Sequence, residues 1–184
     1  MTRSMRVVQR SFGAGLMVLA LLATGARIAR AQDDDADRTA TRERVRTALK
    51  DIGTRMGVTF RQSEKQPFNF VGLLTDGLNN SEKMEILVMI GHQDVLTVQA
   101  YPHVTGDKYI NVDRSPNSVG LMRKLLSYND GQFFYWGMDD VYDVFAAYTF
   151  TLESGFPTEA LDVVLRSVPL LDKKVGEMGL LIGR

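Results

Sequence analysis

Two histidines and a nearby aspartate are the side chains whose types could hold a metal ion. His92 and Asp94 lie in the turn-like stretch GHQD, and His103 lies one predicted strand further along the chain. A metal site needs three or four converging ligands, and neither an HxxxH helix nor a bridging carboxylate accompanies these residues. We therefore interpret both histidines as surface residues near strand ends. The sequence predicts neither a metal nor a cofactor.

The candidate nucleophile and the candidate acid–base residues lie in predicted loops. Ser154 follows Glu153 and precedes Gly155 without a GxSxG pattern, which indicates a turn before a helix. Asp139 and Asp140 are paired carboxylates of the kind that acid–base catalysis uses. They fall where two predicted strands must be joined, however, and aspartate is common in such turns. No glycine-rich phosphate loop follows a predicted strand. The sequence therefore predicts a protein that is not an enzyme.

Aromatic side chains are concentrated in the second half of the chain. Exposed rings could stack on nucleobases, but no basic residues flank the run FFYW. The sequence instead predicts that these rings pack in the core or contact a protein partner. The candidate residues are Phe133, Phe134, Tyr135, Trp136, Tyr142, Phe145 and Tyr148.

The first 31 residues have the composition of a secretory signal peptide. Three arginines among the first ten residues precede an apolar run over residues 16–23, and Ala29-Arg30-Ala31 has the small-x-small pattern of a cleavage site. The apolar run is too short to span a bilayer comfortably. We expect a periplasmic or secreted protein that leaves the membrane after cleavage. Cleavage after Gly25 and retention as an uncleaved anchor are the alternatives.

Removal of this segment would leave an acidic chain. The segment holds five arginines and no acid, so the remainder has 17 basic and 22 acidic side chains and a net charge of −5. Such a chain without a basic cluster is a poor nucleic-acid binder. The absence of cysteine excludes disulfides and thiolate metal sites. Residues 32–37, QDDDAD, are predicted to be a disordered acidic start without the ligand spacing of a calcium loop.

Residues 38–176 are predicted to form one α+β domain. Apolar residues repeat at helical spacing over residues 38–56, and Gly57 can end that helix as its left-handed C′ residue. The predicted buried stripe is Val45, Ala48, Leu49, Ile52 and Met56. Four strands follow, with connections too short for a crossover, so they must form an antiparallel meander. These strands are residues 58–62, 68–75, 82–90 and 95–101.

The next helix and a hairpin follow an irregular stretch over residues 102–114. Ser115 and Pro116 resemble an N-cap and a first-turn proline, and the helix is predicted to run to about Asn129. Its predicted buried face is Val119, Met122, Leu125 and Leu126. Strands over residues 132–138 and 141–150 are then joined at Asp139-Asp140, which is the spacing of a hairpin.

Thr158 is predicted to cap the last helix, which begins at Glu159 and is interrupted by Pro169, since proline removes an internal hydrogen bond. Residues 177–184 are expected to be a frayed C-terminal tail in which residues 180–182 contact the body. The element order is therefore α-β-β-β-β-α-β-β-α, with an antiparallel sheet of five to six strands.

Both faces of the predicted hairpin are apolar. Tyr148 and Ala146 fall on one face, while Phe145 and Ala147 fall on the other. An antiparallel sheet with one solvated face should alternate more cleanly. Because three helices are few for such a sheet, we expect part of one face to contact a protein partner or a second copy in a homodimer. A small-molecule or lipid site in the groove between sheet and helices is the alternative.

Four stretches in this order resemble the YbjN family: LMRKLLSYND, QFFYWGMDD, VYDVFAAYTF and FPTEALDVVL. The resemblance covers residues 38–175. It includes Asn129 at the helix end, but the hairpin turn lacks the family's acid-glycine pair. The family comprises bacterial proteins described as sensory transduction regulators, with a fold similar to type III secretion chaperones. The resemblance implies no enzymatic activity and no defined ligand. We therefore expect an exported protein that acts by protein binding, in signal regulation or in a chaperone-like role.

Overall fold

Seven antiparallel strands form one sheet in the computed structural model, which describes residues 36–184 except residues 93 and 132. The strand order is β1-β2-β3-β4-β7-β6, and β5 pairs with β4. This confirms the α+β antiparallel fold, with seven strands instead of five to six. The strands are β1 (Arg61–Gln62), β2 (Asn69–Leu74), β3 (Lys83–Ile90), β4 (Val95–Val104), β5 (Lys108–Tyr109), β6 (Tyr135–Met138) and β7 (Val144–Thr151).

Four α-helices accompany the sheet in the described part of the chain. They are α1 (residues 36–56), α2 (Ser118–Tyr128), α3 (Thr158–Ser167) and α4 (Leu171–Glu177). A 3₁₀ turn over Val168–Leu170 separates α3 from α4 at Pro169, as predicted, and a second one covers Gly179–Ile182. The predicted signal peptide and most of the predicted acidic start lie outside the described residues, while residues 36 and 37 belong to α1.

Helix α1 buries the stripe that its sequence period indicates. Val45, Leu49 and Ile52 are buried against the sheet, and Met56 is half-buried at the end of the helix. Gly57 has a φ of 69°, which confirms the predicted left-handed C′ position.

Two glycines allow the chain after α1 to run between that helix and the sheet. A Cβ at Gly53 would collide with the carbonyl oxygen of Val58, and a Cβ at Gly72 would lie 2.7 Å from Val58 and 2.8 Å from Phe60. Any larger residue would have to displace this segment. The segment therefore crosses directly over β2 before it pairs as β1.

The prediction of irregular structure over residues 102–114 is wrong at its start. Strand β4 continues to Val104, and a turn at Gly106 and Asp107, both with positive φ, returns the chain as β5. Proline is unusual inside a sheet because it cannot donate a ladder hydrogen bond. Strand β7, however, pairs with β4 only as far as Ala100, so Pro102 lies beyond that ladder.

The predicted start of α2 is also wrong. Asn117, not Ser115, caps the helix, because its Oδ1 accepts a hydrogen bond of 2.9 Å from the backbone N–H of Gly120. Ser115 instead donates to the carbonyl of Leu181 at 2.6 Å. The helix ends at Tyr128, next to the predicted Asn129.

The buried face of α2 differs from the predicted one. Leu125 is buried as expected, but Val119 is 55% exposed, Met122 37% and Leu126 69%. The other buried residues are Leu121 and Tyr128. The helix is therefore rotated from the predicted orientation, and Tyr128 on its buried face packs on Trp136 with 5.6 Å between the ring centroids.

The C-terminal residues are folded onto the domain, so the prediction of a frayed tail is wrong. Met178 is completely buried, and Leu181 and Ile182 pack against the core, as expected for these two residues. Leu180, in contrast, is 90% exposed. The last turn therefore belongs to the body.

A buried carboxylate ties the loop before β3 to helix α4. Asp172 is 4% exposed and accepts hydrogen bonds from the backbone N–H groups of Asn79 at 2.7 Å and Asn80 at 2.9 Å. Burial raises the pKa of Asp172, but hydrogen bonds from Asn79 and Asn80 outweigh burial and hold it below the ordinary value of 3.8. The charged form is therefore the one that the fold stabilises.

We expect Asp172→Asn to lower the free energy of unfolding by about 1.5–3 kcal/mol at neutral pH, because the amide NH₂ would face N–H donors. A lowered folded-state pKa stabilises the fold above the unfolded pKa, and this stabilisation is lost as pH falls through the folded pKa. The difference between wild type and variant should thus be constant above about pH 5 and shrink below about pH 4. Urea unfolding measures it, with Asp76→Asn in the same loop as an exposed control. A difference that stays constant down to about pH 2 would contradict this assignment.

Candidate functional site

The two faces of the sheet differ in what covers them. Even-numbered residues of β3 and β4, such as Ile86 and Val98, are buried in a single core with the buried residues of all four helices. Residues that alternate away from this core form what we call the outer face, and none of them belongs to the core cluster. Among the described residues, the helices therefore pack on one face only. This agrees with the expectation of an uncovered face.

Four aromatic rings form a continuous row across the outer face. Tyr135 on β6 lies 6.3 Å from Phe145 on β7, Phe145 lies 5.5 Å from Tyr101 on β4, and Tyr101 lies 5.8 Å from Tyr109 on β5, measured between ring centroids. The first and last of these contacts are edge-to-face, which is a favourable arrangement for aromatic pairs. We call Tyr135, Phe145, Tyr101 and Tyr109 the aromatic row.

A glycine allows the row to cross from β7 to β6. Gly137 is paired with Phe145, and a Cβ at Gly137 would lie 3.1 Å from the Phe145 ring. The ring can therefore lie against the backbone of β6 and approach Tyr135. The row depends on strand register, since a slip of one residue would turn these side chains to the other face.

A polar cluster closes the β5 end of the row. His103 is 4% exposed, its ring centroid is 4.1 Å from that of Tyr109, and its Nδ1 lies 2.8 Å from Oδ1 of Asp107. Nδ1 therefore donates to this carboxylate, and Nε2 is left without a hydrogen-bond partner, 3.7 Å from Oε2 of Glu85. The expectation of a surface position is wrong for His103, because β5 folds back over it. It is right for His92, which is exposed.

The predicted aromatic candidates are divided between the two faces. Phe134 and Trp136 are buried in the core, at 5% and 4% exposure. Tyr135 and Phe145 belong to the aromatic row. Tyr142 lies in the turn before β7 with a φ of 67° and is exposed.

Phe133 and Tyr148 form a separate pair at the edge of the core face. Their rings are stacked with 4.7 Å between centroids. Phe133 also borders an apolar groove of about 230 Å³ with Val163 and Leu170, which belong to α3 and the following 3₁₀ turn. This groove and the aromatic row are therefore separate surfaces that both present aromatic side chains.

Sequence reasoning missed two members of the row. Tyr101 alternates with the buried residues of β4, so the strand pattern alone could have placed it on the outer face. Tyr109 lies in the stretch that was predicted to be irregular, and no local signal indicates β5. Its position follows from pairing with His103.

Asn129 closes the free edge of β6. Its side-chain amide donates to the carbonyl of Trp136 at 3.1 Å, and its Oδ1 accepts from the backbone N–H of Trp136 at 2.6 Å. One side chain thus satisfies both backbone groups that would otherwise be offered to an added strand. A partner strand cannot pair at Trp136 unless Asn129 moves.

The other candidate chemical sites are turns. Oδ1 of Asp139 accepts hydrogen bonds from the backbone N–H groups of Val141 and Asp143, and Gly155 with a φ of 101° follows Ser154 in a turn. No group of three potential metal-ligating side chains occurs in the part of the chain that the structure describes. In that same part, no helix has the length and hydropathy needed to cross a bilayer.

Comparison with known proteins gives a likeness of fold. No family model matches the chain, and no curated protein matches it. The crystal structure of YbjN from E. coli is similar, with 13% identity, a TM-score of 0.46 and coverage of 73% of this chain and 88% of that chain. The crystal structure of the ExsC–ExsE complex matches with 17% identity, a TM-score of 0.42 and coverage of 77% and 96%. At these identities the likeness concerns the fold alone, and the first structure is of the family that the sequence resembles.

The different positions of Tyr135 and Trp136 can be tested with a pair of neighbouring variants. We expect Trp136→Ala to lower the free energy of unfolding by about 3–5 kcal/mol, because it empties a core site against Tyr128. Tyr135→Ala on the outer face should cost less than about 1 kcal/mol. Both replace a strand aromatic by alanine, so strand propensity cancels in the comparison. Equal losses in urea unfolding would mean that the register of β6 is misassigned.

Proposed function

We propose that the chain binds another protein through the outer face of its sheet, with the aromatic row at the centre of the contact. The observation that carries the proposal is the continuity of four rings on a face that the described helices leave uncovered. Large aromatic side chains are enriched in the buried centres of protein interfaces, where they supply most of the binding energy.

The surroundings of the row support an interface. Half-exposed aliphatic residues extend the same face across β2 and β3, among them Val71, Leu87 and Met89. Leu73 on the same face is 46% exposed. Scattered exposed apolar residues need no explanation, but a contiguous apolar surface is typical of interaction sites.

The chemistry of the face favours a protein over a nucleic acid. Tyr101 and Tyr109 have carboxylates beside them, including Glu85, which accepts a hydrogen bond of 2.9 Å from the Tyr109 hydroxyl. Phosphate groups would be repelled by such a rim. Because Asn129 occupies the edge of β6, contact through the face is better supported than strand addition there.

The proposal includes export and a non-enzymatic role. The signal-like first 31 residues support export, and the resemblance to the YbjN family motivates a role in sensory regulation or as a chaperone-like protein. Mass spectrometry of the chain isolated from cells would test export, since a cleaved chain should begin at Gln32. A chain that retains Met1 in the cytoplasm would contradict it.

Site-specific photocrosslinking in cells tests the binding face. A photoreactive phenylalanine analogue at position 145 lies within the row, whereas the same analogue at the exposed position of Lys173 on α4 lies on the helical side. We expect a crosslinked product from position 145 and none from position 173. The product should be lost when Tyr101→Ala is added, because the neighbouring ring contributes to the contact.

The mass of the product identifies the class of occupant. Twice the mass of the chain would indicate a second copy, and any other mass a different protein. Equal labelling from both positions, together with a monomer at micromolar concentration in sedimentation, would contradict protein binding through this face.

A small-molecule site is the second candidate function. A pocket of about 550 Å³ lies between α1 and the segment that leads to β1, bordered by Arg46, Lys50 and Phe60. Its volume falls in the range of about 300–1,000 Å³ that is usual for small-molecule sites. Native mass spectrometry of the purified chain should then detect a bound molecule, and Gly53→Leu should abolish it. A chain without any adduct would favour the protein-binding proposal.

A further inference from the structure

Two carboxylates lie beside the centre of the aromatic row without a lysine or arginine partner. Glu85 contacts Tyr109 through Oε2, and Asp139 is close enough to Tyr101 to affect its ionisation. Burial and then the nearby charges of Asp139, Asp143 and Glu85 raise the pKa of Tyr101 to about 12. The Tyr101 hydroxyl itself donates a hydrogen bond to Oε1 of Gln99 at 3.3 Å. Within the described residues, neither Glu85 nor Asp139 forms an ion pair with lysine or arginine.

The remaining charges near the row largely cancel one another. Asp107 lies 2.7 Å from Nζ of Lys83, and Asp143 lies 3.3 Å from the guanidinium of Arg114. Glu85 and Asp139 therefore leave an excess of negative charge beside rings whose faces are themselves negative. The rim attracts cations.

We propose that the outer face binds a cationic segment of its partner protein and that an arginine of this segment lies over the Tyr101–Tyr109 part of the row. This inference rests on the proposed function and names the chemistry of its partner. A guanidinium can stack on an aromatic ring and donate in its plane to a carboxylate at the same time. Oε1 of Glu85 accepts no hydrogen bond from any described residue, so it can serve as the acceptor.

The same charge argument disfavours a symmetric dimer through this face. In a two-fold dimer only the residues on the axis face their own copies, so an axis through the Tyr101–Tyr109 part of the row would bring the two acidic rims together. Like charges brought together in an interface cost free energy and suppress the wrong partner. A different chain with basic residues meets no such repulsion.

Binding of defined peptides to the purified chain tests the inference. The probes are short fluorescent peptides that alternate arginine and valine, lysine and valine, or glutamate and valine. Free arginine amide is a control that lacks the peptide chain. We expect the arginine peptide to bind at least about tenfold more tightly than the glutamate peptide. Its affinity should fall as the salt concentration rises from about 0.05 to about 0.5 M. We also expect it to bind more tightly than the lysine peptide, because an ammonium cannot stack and donate in plane.

Matched variants separate the row from the general acidity of the chain. Glu85→Gln and Tyr101→Ala should each lower the affinity for the arginine peptide about fivefold or more. Tyr101→Phe should retain most of the affinity, because the ring is kept. Glu153→Gln, in an exposed loop far along the chain, removes the same charge and should have no effect. Nuclear magnetic resonance of the unmodified chain gives an independent readout if a variant fails to fold. The chemical-shift changes caused by adding the arginine peptide should be largest on β4, β5 and β7.

The outcomes distinguish this inference from the proposed function. Equal binding of the arginine and glutamate peptides, or shifts confined to the helices, would overturn the inference and leave protein binding through the outer face intact. Retention of tight binding in Glu85→Gln would overturn the role of that carboxylate. Failure of the crosslinking experiment at position 145 would instead overturn the proposed function itself.

Discussion

The structure depends on one constraint: over the residues that it describes, a single layer of helices buries only one face of a seven-stranded sheet. The buried apolar residues of α1, α2, α3 and α4 all join the same core, and the alternation of β3 and β4 directs every second side chain into it. The alternate side chains of each strand, which point to the outer face, must therefore contact water or a partner. The position of the aromatic row follows from this arrangement, because its exposed ring, Tyr135, and its three half-buried rings share the sheet with residues that the core requires.

Strand register gives neighbouring aromatic residues different roles. The run over residues 133–136 looks like one cluster in the sequence, but its members alternate between surface and core. Trp136 packs on Tyr128, while Tyr135 continues the row through Phe145. A cluster along the chain is therefore not a cluster in space, and the functional surface draws on β4, β5, β6 and β7 instead.

Electrostatics on the outer face also arise from the assembly of distant segments. The full chain has a formal net charge of zero and the predicted exported chain one of −5, but neither total shows where on the surface the acidic groups lie. The sheet nevertheless brings Glu85 of β3 and Asp139 of the hairpin turn to the same ring pair. Partner choice can thus be encoded by a local excess of charge that the overall composition does not indicate.

The sequence by itself determined the elements whose causes are local. Helical spacing identified α1, turn chemistry marked Gly57 and Asp139, and Pro169 predicted the break between α3 and α4. Only the tertiary structure decided the buried face of α2, the strand β5, the burial of His103 and the membership of the aromatic row. These depend on pairing and packing between residues far apart in the chain, and a periodic pattern in one segment contains no information about which partner it meets.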